Sequence, residues 1–375
     1  MNSKQRVRAA MNLDTPDRVP LMCQCSIGHM LQQLRVSPVE FWFEAKVFRE
    51  GLLQLRAQYD FDGVLVSLHG HNPHWRDEVL KRTLTPEAEE VLWKNGDRMI
   101  CPFDDLPYYI FAHTHAKPDA QNFNPEALPA TLDYIPVSQD LHFKLDPAHL
   151  HEPLPQLVAA AGADFSIHGE ITSPFDYLLD YFGHQEALLA LITAPQQCHL
   201  VLAHFTKLIR ELAVSLCRTG IDAIKVSSPF AGAGFISPAF YADFVLPYER
   251  EIVNAVREQG VHISLHTCGA INDRLELMLA SGASGLECLD PPPLGNVELA
   301  PAKARTAGKC FIKGNVDAVN TLLMGSAEEI RADARQRLEI GKVGGGFILS
   351  TACAIAPHVP RENVLLLREA VEKWG

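Results

Sequence analysis

The sequence lacks several features, and each absence argues against a class of protein. No run of about 18 apolar residues occurs, so we expect no transmembrane helix. No basic block occurs either: 33 Lys and Arg stand against 45 Asp and Glu, for a net charge of −12. This balance gives no electrostatic basis for nucleic-acid binding. The opening MNSKQRVR contains no apolar signal-peptide segment, which favours a cytoplasmic protein that is not attached to a membrane.

The nine cysteines do not form the compact, even-numbered pattern of a disulfide framework. In a chain of 375 residues, such scattered cysteines are typical of a reduced, cytoplasmic protein. A free cysteine usually packs as a small apolar residue, and we expect this at positions 23, 25, 101, 198, 217, 288 and 310. The two others, Cys268 and Cys353, follow apolar runs and need a separate explanation.

Short apolar runs alternate with longer amphipathic stretches along most of the chain. Eight of these runs are rich in Val, Ile, Leu or Phe without strict alternation, which is typical of strands buried on both faces. The predicted strands cover residues 18–22, 62–68, 164–168, 222–227, 261–266, 284–290, 309–314 and 346–351. Helical stretches are predicted between them, for example over 197–218, 238–259 and 326–341. Eight such units predict an α/β fold, a (β/α)8 TIM barrel.

A long insert separates the second and third predicted strands. It spans about residues 70–163, which is too long for a single helix. Within it, Asn95-Gly96 stands between two strand-like runs in EVLWKNGDRMICPF and predicts a tight β-hairpin. We interpret the insert as an elaborated loop over the barrel mouth, so that residues 1–375 form a single domain. A small independent domain is the alternative interpretation.

The tripeptide His266-Thr267-Cys268 ends the fifth predicted strand, and Cys353 follows the eighth. Side chains two residues apart in a strand project from the same face, so His266 and Cys268 can approach one point. The carboxyl ends of barrel strands meet at one mouth, which can bring Cys353 to that point. Two thiolates and an imidazole suit Zn²⁺ and leave a fourth position for chemistry. The pattern therefore predicts a catalytic zinc site, with ordinary core packing of these side chains as the alternative.

Further polar residues lie in or after the predicted strands. Glu287 is in the sixth, and a carboxylate in a buried strand is costly unless it is paired or bound to a metal. Glu287 could be a fourth zinc ligand or a hydrogen-bonded group at the barrel rim. Six residues could contact substrate, support another side chain or cap a loop: His69, His168, Glu170, Ser227, Asn315 and Asp317.

Motifs along nearly the whole chain resemble the uroporphyrinogen decarboxylase superfamily. They are RVRAAMNLDTPDRVPLM near the start, FISPAFYADFVLPYEREIV at 235–253, ISLHTCG at 263–269, IKGNVDAVNTL at 312–322 and GGGFILSTACAIAPHVPRENV at 344–364. The His-x-Cys pair with a distant Cys resembles the zinc- and cobalamin-dependent methyltransferases of that superfamily. The resemblance implies a TIM barrel, zinc ligands at His266, Cys268 and Cys353, and methyl transfer that involves a corrinoid.

The resemblance implies two directions of transfer. One moves methyl from a small molecule, such as an aromatic methyl ether, to the Co(I) of a corrinoid protein. The other moves methyl from methylcobalt to a thiol such as coenzyme M. The phrase ECLDPPPLGNVELAPAKA resembles the demethylases more, so we expect O-demethylation. No Asp-x-His-x-x-Gly cobalamin motif occurs, so we expect a partner protein to carry the corrinoid (cobalamin) and dock at the barrel mouth. A homodimer is compatible with the resemblance.

Two other hypotheses are less consistent with the sequence. A uroporphyrinogen decarboxylase-like lyase uses arginines after its first strand to bind a polycarboxylate, and the matching stretch here, PLMCQCSIGHMLQQL, has none. Decarboxylation also has no use for a thiolate-bound zinc. The third hypothesis is a non-catalytic protein that holds a corrinoid partner or a small ligand, but a pure binder has no evident need for two thiolates beside a histidine.

Overall fold

A computed structural model of the chain describes residues 1–67, 70–113, 116–137 and 141–375. The strands, numbered in chain order, are β1 (Gly63–Val66), β2 (Val79–Leu84), β3 (Ala88–Trp93), β4 (Arg98–Pro102), β5 (Tyr108–Ile110), β6 (Tyr134–Val137), β7 (Leu141–Lys144), β8 (Ser166–Thr172), β9 (Ala223–Ser227), β10 (His262–Thr267), β11 (Gly285–Cys288), β12 (Phe311–Val316) and β13 (Phe347–Thr351). Seven of them form one parallel sheet in the order β1-β8-β9-β10-β11-β12-β13. Neighbours in this sheet are joined by helices, as parallel strands require.

The helices surround the parallel sheet and bury their apolar faces against it. They are α1 (Ser3–Met11), α2 (Ile27–Leu34), α3 (Pro38–Phe43), α4 (Ala45–Tyr59), α5 (Leu154–Ala161), α6 (Pro174–Phe182), α7 (His184–Thr193), α8 (Pro195–Cys217), α9 (Pro238–Phe244), α10 (Leu246–Glu258), α11 (Leu275–Ala280), α12 (Leu299–Thr306), α13 (Ala327–Gly341) and α14 (Arg361–Trp374). The predicted helix over 238–259 is two helices, because Pro247 supplies no amide donor and starts α10 instead. Among the described residues, no helix combines the length and apolar character needed to cross a membrane.

The predicted first strand, 18–22, is not a regular strand. It forms an isolated parallel bridge in which Leu21 pairs with Leu349 of β13. On its other side, the amide of Asp62 donates to the carbonyl of Leu21 over 2.7 Å. This segment therefore lies between β13 and β1 and joins the two edges of the sheet. The predicted α/β barrel class is confirmed, with seven strands and one bridging segment in place of eight strands.

A buried ion-pair cluster holds this junction together. The Asp62 side chain is fully buried at the start of β1. Its carboxylate accepts hydrogen bonds from Arg6 Nη1 and Arg18 Nη1, each over 2.8 Å, and from the amide of Leu21 over 2.9 Å. A buried carboxylate is tolerated when its lone pairs are satisfied in this way. One side chain thus connects α1, the bridging segment and β1.

Two strands extend further towards the barrel mouth than the sequence predicts. The third predicted strand ends at residue 168, but β8 continues to Thr172, so His168 lies in mid-strand inside the barrel. Likewise, β12 continues to Val316 and contains Asn315, which was predicted to follow the strand. Polar residues at 168, 170 and 315 do not end these strands, because their side chains find hydrogen-bond partners inside the barrel.

The insert between β1 and β8 contains two small antiparallel sheets. Strands β2, β3, β4 and β5 form one of them, and β6 pairs with β7 in the other. The predicted hairpin at Asn95-Gly96 is confirmed: it joins β3 to β4, and the amide of Trp93 donates to the carbonyl of Asp97 over 2.9 Å. Gly96 adopts φ +90°, a conformation that favours glycine. The single-domain organisation stays a prediction.

Replacing Asp62 tests whether the junction between the sheet edges stabilises the fold. Asp62→Asn leaves Arg18 without its carboxylate and Arg6 with Asp17 alone, at a fully buried position, so the free energy of unfolding should fall by about 3 kcal/mol in urea denaturation. Asp60 is the matched control: it is half-exposed and pairs with Arg56 and Arg368. Asp60→Asn should cost less than about 1 kcal/mol. Equal losses in the two variants would contradict the assigned role of Asp62.

Candidate metal centre and adjoining cavity

Three strands bring four possible metal ligands together at the barrel mouth. His266 lies in β10 and Cys268 just after it, Cys288 ends β11, and Cys353 follows β13. The Cys268 Sγ atom is 3.3 Å from Cys353 Sγ and 3.5 Å from His266 Nε2. Cys288 Sγ is 3.7 Å from Cys353 Sγ. All four ligand atoms lie within 4.8 Å of one another, so one ion can reach them all.

The donor set and its spacing fit a tetrahedral metal. With zinc–sulfur bonds of about 2.3 Å, the ligand atoms of a tetrahedron lie roughly 3.5–3.8 Å apart, close to the distances observed here. Nδ1 of His266 is buried and has no hydrogen-bond partner among the described residues. Three residues in or next to these strand ends also have a buried side-chain oxygen without a hydrogen-bond partner among the described residues: Thr267, Asp290 and Thr351. Unsatisfied buried polar atoms are rare in proteins and often mark an ion or water site.

Cys288 is the member of this cluster that sequence reasoning assigned to the core. In a regular strand its side chain would face away from that of Glu287, because successive residues point to opposite faces. The chain leaves the extended conformation here, since Cys288 and Leu289 adopt left-handed φ angles of +76° and +56°. Such angles are costly outside glycine and cluster at functional sites. This local turn directs the Cys288 sulfur to the other thiols, and no periodic pattern in the sequence signals it.

The backbone comes close to the cluster at two glycines, one in a loop and one in a strand. A Cβ atom at Gly232, in the loop after β9, would lie 2.6 Å from the carbonyl oxygen of Cys268. A Cβ atom at Gly314 in β12 would lie 2.7 Å from the carbonyl oxygen of Cys288. Both contacts are too short for any side chain. These glycines therefore let neighbouring strands and loops hold the ligand backbones in place.

The thiols have different proton affinities. Hydrogen bonds with Cys288 and Cys353 lower the pKa of Cys268 well below its ordinary value, and the nearby Lys225 ammonium acts in the same direction. Burial raises the pKa of Cys288 well above its ordinary value, and its thiol neighbours add to this effect. The cluster thus favours one thiolate at Cys268, which is the form that binds metals.

The structure does not bring Glu287 to the cluster. Its carboxylate accepts from Ser264 Oγ over 2.6 Å and from Lys313 Nζ over 3.0 Å inside the barrel. Burial opposes the charged form of Glu287, but Lys313 and Lys225 outweigh it and lower the pKa of the carboxyl to about 2. One oxygen is therefore held by a buried ion pair with Lys313 and the other by a hydrogen bond from Ser264. Glu287 lies outside the group of possible metal ligands, and its neighbour Cys288 is the fourth member of that group.

A cavity of about 320 Å³ opens beside the cluster. Its wall includes Ala354, the residue after Cys353, and Ser227, which pairs in register with His266. Glu170 also lines the cavity, and its carboxylate binds Lys225 Nζ over 2.7 Å. Lys225 Nζ in turn donates to Gln24 Oε1 over 2.6 Å. Two of the six predicted substrate contacts, Glu170 and Ser227, thus face a space that can hold a small molecule.

The other predicted contacts have different surroundings. His168 Nε2 is 3.1 Å from Ser166 Oγ, and burial together with Lys313 lowers the pKa of His168 to about 3, so this imidazole is neutral. Asn315 Nδ2 donates to the carbonyl of Leu289 and supports the turn at Cys288. Asp317 accepts from two amides in its own loop. His69 lies outside the described residues.

A family model described as uroporphyrinogen decarboxylase (URO-D) matches residues 129–374. The chain belongs to this family. The predicted resemblance is thereby confirmed, and the match covers β8 to β13 together with all four residues of the cluster. Most of the insert precedes the matched region.

Members of the family with different names are similar to this chain. The methylcobamide:CoM methyltransferase MtaA of Methanosarcina barkeri is 26% identical over 374 residues, which cover 99% of this chain and 98% of that protein. MtbA of Methanosarcina acetivorans, also named methylcobamide:CoM methyltransferase, is 26% identical over 57% of this chain and 60% of its own length. A uroporphyrinogen decarboxylase of Gloeobacter violaceus is 29% identical over 48% of this chain and 49% of its own length. The match with MtaA is thus nearly end to end, whereas the chain spans about half to three fifths of the other two relatives.

A solved structure supports the fold assignment. The structure titled methyltransferase from Methanosarcina mazei superposes with a TM-score of 0.74 and covers 100% of this chain and 99% of that one. Sequence identity over this superposition is 20%, so the likeness concerns the fold alone.

The buried pair Glu287–Lys313 can be tested by a double-mutant cycle. Glu287→Gln leaves the Lys313 ammonium buried without its carboxylate, so the free energy of unfolding should fall by about 3–5 kcal/mol. Lys313→Met should cost a similar amount for the mirrored reason. The double variant should lose less than the sum of the single losses when unfolding is followed by circular dichroism in urea. Strictly additive losses would show that the two groups do not interact.

Proposed function

We propose that this chain is a zinc-dependent methyltransferase that works with a corrinoid protein. The observation that carries the proposal is the cluster of three sulfurs and one imidazole beside an open cavity at the barrel mouth. The names of the relatives agree with this enzyme class, because MtaA and MtbA are both named methylcobamide:CoM methyltransferases. When bound at such a site, zinc supplies Lewis-acid chemistry to the oxygen or sulfur atom that loses or gains the methyl group.

His266, Cys268 and Cys353 are the ligands we propose for zinc. Cys268 and Cys353 are partly exposed, so an ion held by them is accessible from the mouth. Cys288 is buried behind them and is a candidate for the fourth position. A catalytic site needs one position that a substrate atom can take. Cys288 would therefore share that position with the substrate, a role that we first considered for Glu287.

The charge of the cavity discriminates between methyl donors. Among the described residues that line it, three are acidic and none is Lys or Arg; the acidic ones are Asp105, Glu170 and Asp176. The nearest buried cation, Lys225, is already paired with Glu170. Among the described lining residues, an anionic substrate would therefore find no cation to pair with. This favours a neutral methyl donor over a sulfonated thiol such as coenzyme M, and it also argues against a polycarboxylate porphyrinogen.

The cavity wall also has apolar parts that suit an aromatic ring. Ile27, Leu106, Ile135 and Phe143 line it together with a few polar groups, a composition typical of small-molecule sites. We therefore propose an aromatic methyl ether as the donor and O-demethylation as the reaction. Methylation of coenzyme M from methylcobalamin is the second candidate, because the names of MtaA and MtbA state that activity.

The surface around the mouth is suited to a protein partner. Four large apolar side chains are exposed on the loops after β9, β11 and β12: Phe235, Leu294, Val319 and Met324. Exposed apolar groups concentrated around one site often mark a protein interface. A corrinoid protein that docks on these loops would bring its cofactor to the mouth of the barrel. This docking is part of the proposal, as is the absence of a corrinoid site within the chain itself.

Metal analysis of variants tests the proposed ligands. Purified protein should contain about one zinc per chain by elemental analysis. Cys268→Ala and Cys353→Ala should each lose most of it, because only two of the three proposed permanent ligands remain and Cys288, whose pKa is raised by burial, supplies a thiolate poorly. Cys288→Ala should retain the metal, since three ligands remain. Cys101→Ala, at a buried cysteine of the insert, is the control and should match the wild type. Unchanged metal content in both ligand variants would refute the site.

A methyl-transfer assay tests the proposed reaction. The protein would be mixed with Co(I) cobalamin or a Co(I) corrinoid protein and a panel of methoxyaromatics, methylamines and thiols, and the cobalt spectrum would be followed. We expect methylation of cobalt by neutral methoxyaromatics and its loss in Cys268→Ala. The same protein should transfer methyl from methylcobalamin to coenzyme M poorly, because the cavity is acidic. Efficient methylation of coenzyme M with inactive methoxyaromatics would establish the second candidate instead.

A further inference from the structure

The turn that directs Cys288 to the cluster is held by a side chain of the neighbouring strand. Cys288 and Leu289 have left-handed φ angles, so the chain leaves the extended conformation at the end of β11. Asn315 of β12 is fully buried, and its Nδ2 donates to the carbonyl of Leu289 over 2.8 Å. In the part of the chain that the structure describes, no backbone amide donates to that carbonyl. Asn315 therefore supplies the partner that a buried carbonyl needs.

An arginine on the outside of the barrel fixes the orientation of this amide. Nη1 of Arg337, on α13, donates to Asn315 Oδ1 over 2.5 Å. A guanidinium group can only donate hydrogen bonds, and a backbone carbonyl can only accept them. The oxygen of the Asn315 amide must therefore face Arg337, which leaves its nitrogen facing Leu289. A rotation of the amide by half a turn would bring two acceptors together at Leu289 and two donors together at Arg337.

A carboxylate on the same helix holds the guanidinium group in place. Asp333 lies one turn before Arg337, and its two oxygens accept from Arg337 Nε and Nη2, each over 2.7 Å. Such a two-point contact fixes the plane of the guanidinium group. An ion pair four residues apart is common on helices and stabilises them, but this pair uses only Nε and Nη2. Helix stability therefore does not explain the third contact, which joins Nη1 to a buried strand residue.

Arg337 reaches the cluster only through Asn315. The Arg337 side chain is 12% exposed, and α13 contributes no residue to the cluster or to the described wall of the cavity. The turn also has an independent support, since Asp290 Oδ2 accepts from the amide of Gly269 over 2.7 Å. A change at Arg337 should therefore alter the direction of the Cys288 side chain without unfolding the loop.

We propose that Arg337 and Asn315 are positioning residues that keep the Cys288 sulfur at the fourth position of the metal centre while no substrate is bound. This inference rests on the proposed zinc site. Left-handed angles are costly outside glycine, so the turn at Cys288 needs support from its surroundings. Hydrogen-bonded groups behind metal ligands commonly supply such support. A substrate atom that takes the fourth position then has to displace a ligand that is held there.

Cobalt substitution tests how many sulfurs are bound. Co²⁺ occupies tetrahedral zinc sites, and its sulfur-to-cobalt absorption in the near ultraviolet grows with the number of bound thiolates. Without substrate, Arg337→Met should weaken this absorption by about one third, the share of one thiolate among three, as Cys288→Ala should. Asn315→Asp should do the same, because it can still accept from Arg337 but has no N–H for Leu289. Cobalt content should stay at about one per chain, which separates the loss of one ligand from unfolding.

Arg335→Met is the matched control for Arg337→Met. Arg335 lies on the same helix, is exposed and pairs with Glu339, so its loss should leave the absorption at the wild-type level. Wild-type absorption in Cys288→Ala would show that Cys288 is no ligand and overturn the inference. Weakened absorption in Cys288→Ala with wild-type absorption in Arg337→Met would overturn it as well, because Cys288 would then bind without this support.

Binding of imidazole tests the consequence for the fourth position. Imidazole is small and can take a free position on cobalt, where it changes the visible spectrum. If Cys288 holds the position about nine-tenths of the time, its release should raise the apparent affinity for imidazole about 10-fold. Arg337→Met and Asn315→Asp should show this gain, and Arg335→Met should not. Equal affinities in all of these proteins would contradict the proposed competition.

Neither measurement needs a methyl donor, so the two proposals can fail separately. If the spectra change as expected while no methoxyaromatic is turned over, the positioning role stands and the proposed demethylation fails. If methyl transfer is observed while the spectra of Arg337→Met match those of the wild type, the proposed enzyme stands and the positioning role fails.

Discussion

Closure of the parallel sheet is the constraint on which the rest of the structure depends. Parallel strands all end on the same side, and when the sheet curves into a barrel their carboxyl ends converge on one mouth. The bridge between Leu21 and Leu349 and the buried carboxylate of Asp62 join the two edges of the sheet. Residues that are 85 positions apart, Cys268 and Cys353, thereby come within 3.3 Å of each other. Without this curvature, the ends of β10 and β13 would be separated by the two strands β11 and β12 in a flat sheet.

The buried charges inside the barrel determine what the cavity can bind. Lys225 and Lys313 are both buried, and each is satisfied by a carboxylate, Glu170 and Glu287 respectively. Because both lysines are already paired, neither is free to bind an anionic substrate. Two other acidic residues line the cavity, Asp105 and Asp176, and burial raises the pKa of Asp176 to about 8. The neutral methyl donor that we propose is consistent with a cavity whose neighbouring cations are already paired.

Much of the site could be predicted from residue spacing. His266 and Cys268 share one face of a strand, and Cys353 follows another apolar run, so their convergence needed only the barrel topology. Glu287 and Cys288 show the limit of such reasoning. Alternation along a strand places Glu287 inward, but it does not reveal that Lys313 binds its carboxylate or that left-handed angles redirect Cys288. The predicted ends of β8 and β12 came too early, because polar residues suggested that the strands stop there. In the structure these polar side chains have hydrogen-bond partners inside the barrel, so both strands continue.

The sequence by itself determined the class of fold and three members of the cluster, because the period of apolar residues and the spacing of His and Cys are local properties. It also contained the motifs of the family to which the chain belongs. Only the tertiary structure decided which acidic groups are paired, which retain protons and which thiol is the fourth member of the cluster. These outcomes depend on burial and on charges from neighbouring strands, such as Lys313 beside Glu287 and Lys225 beside Glu170. Electrostatic interactions of this kind follow distance in space, and distance along the chain does not reveal them.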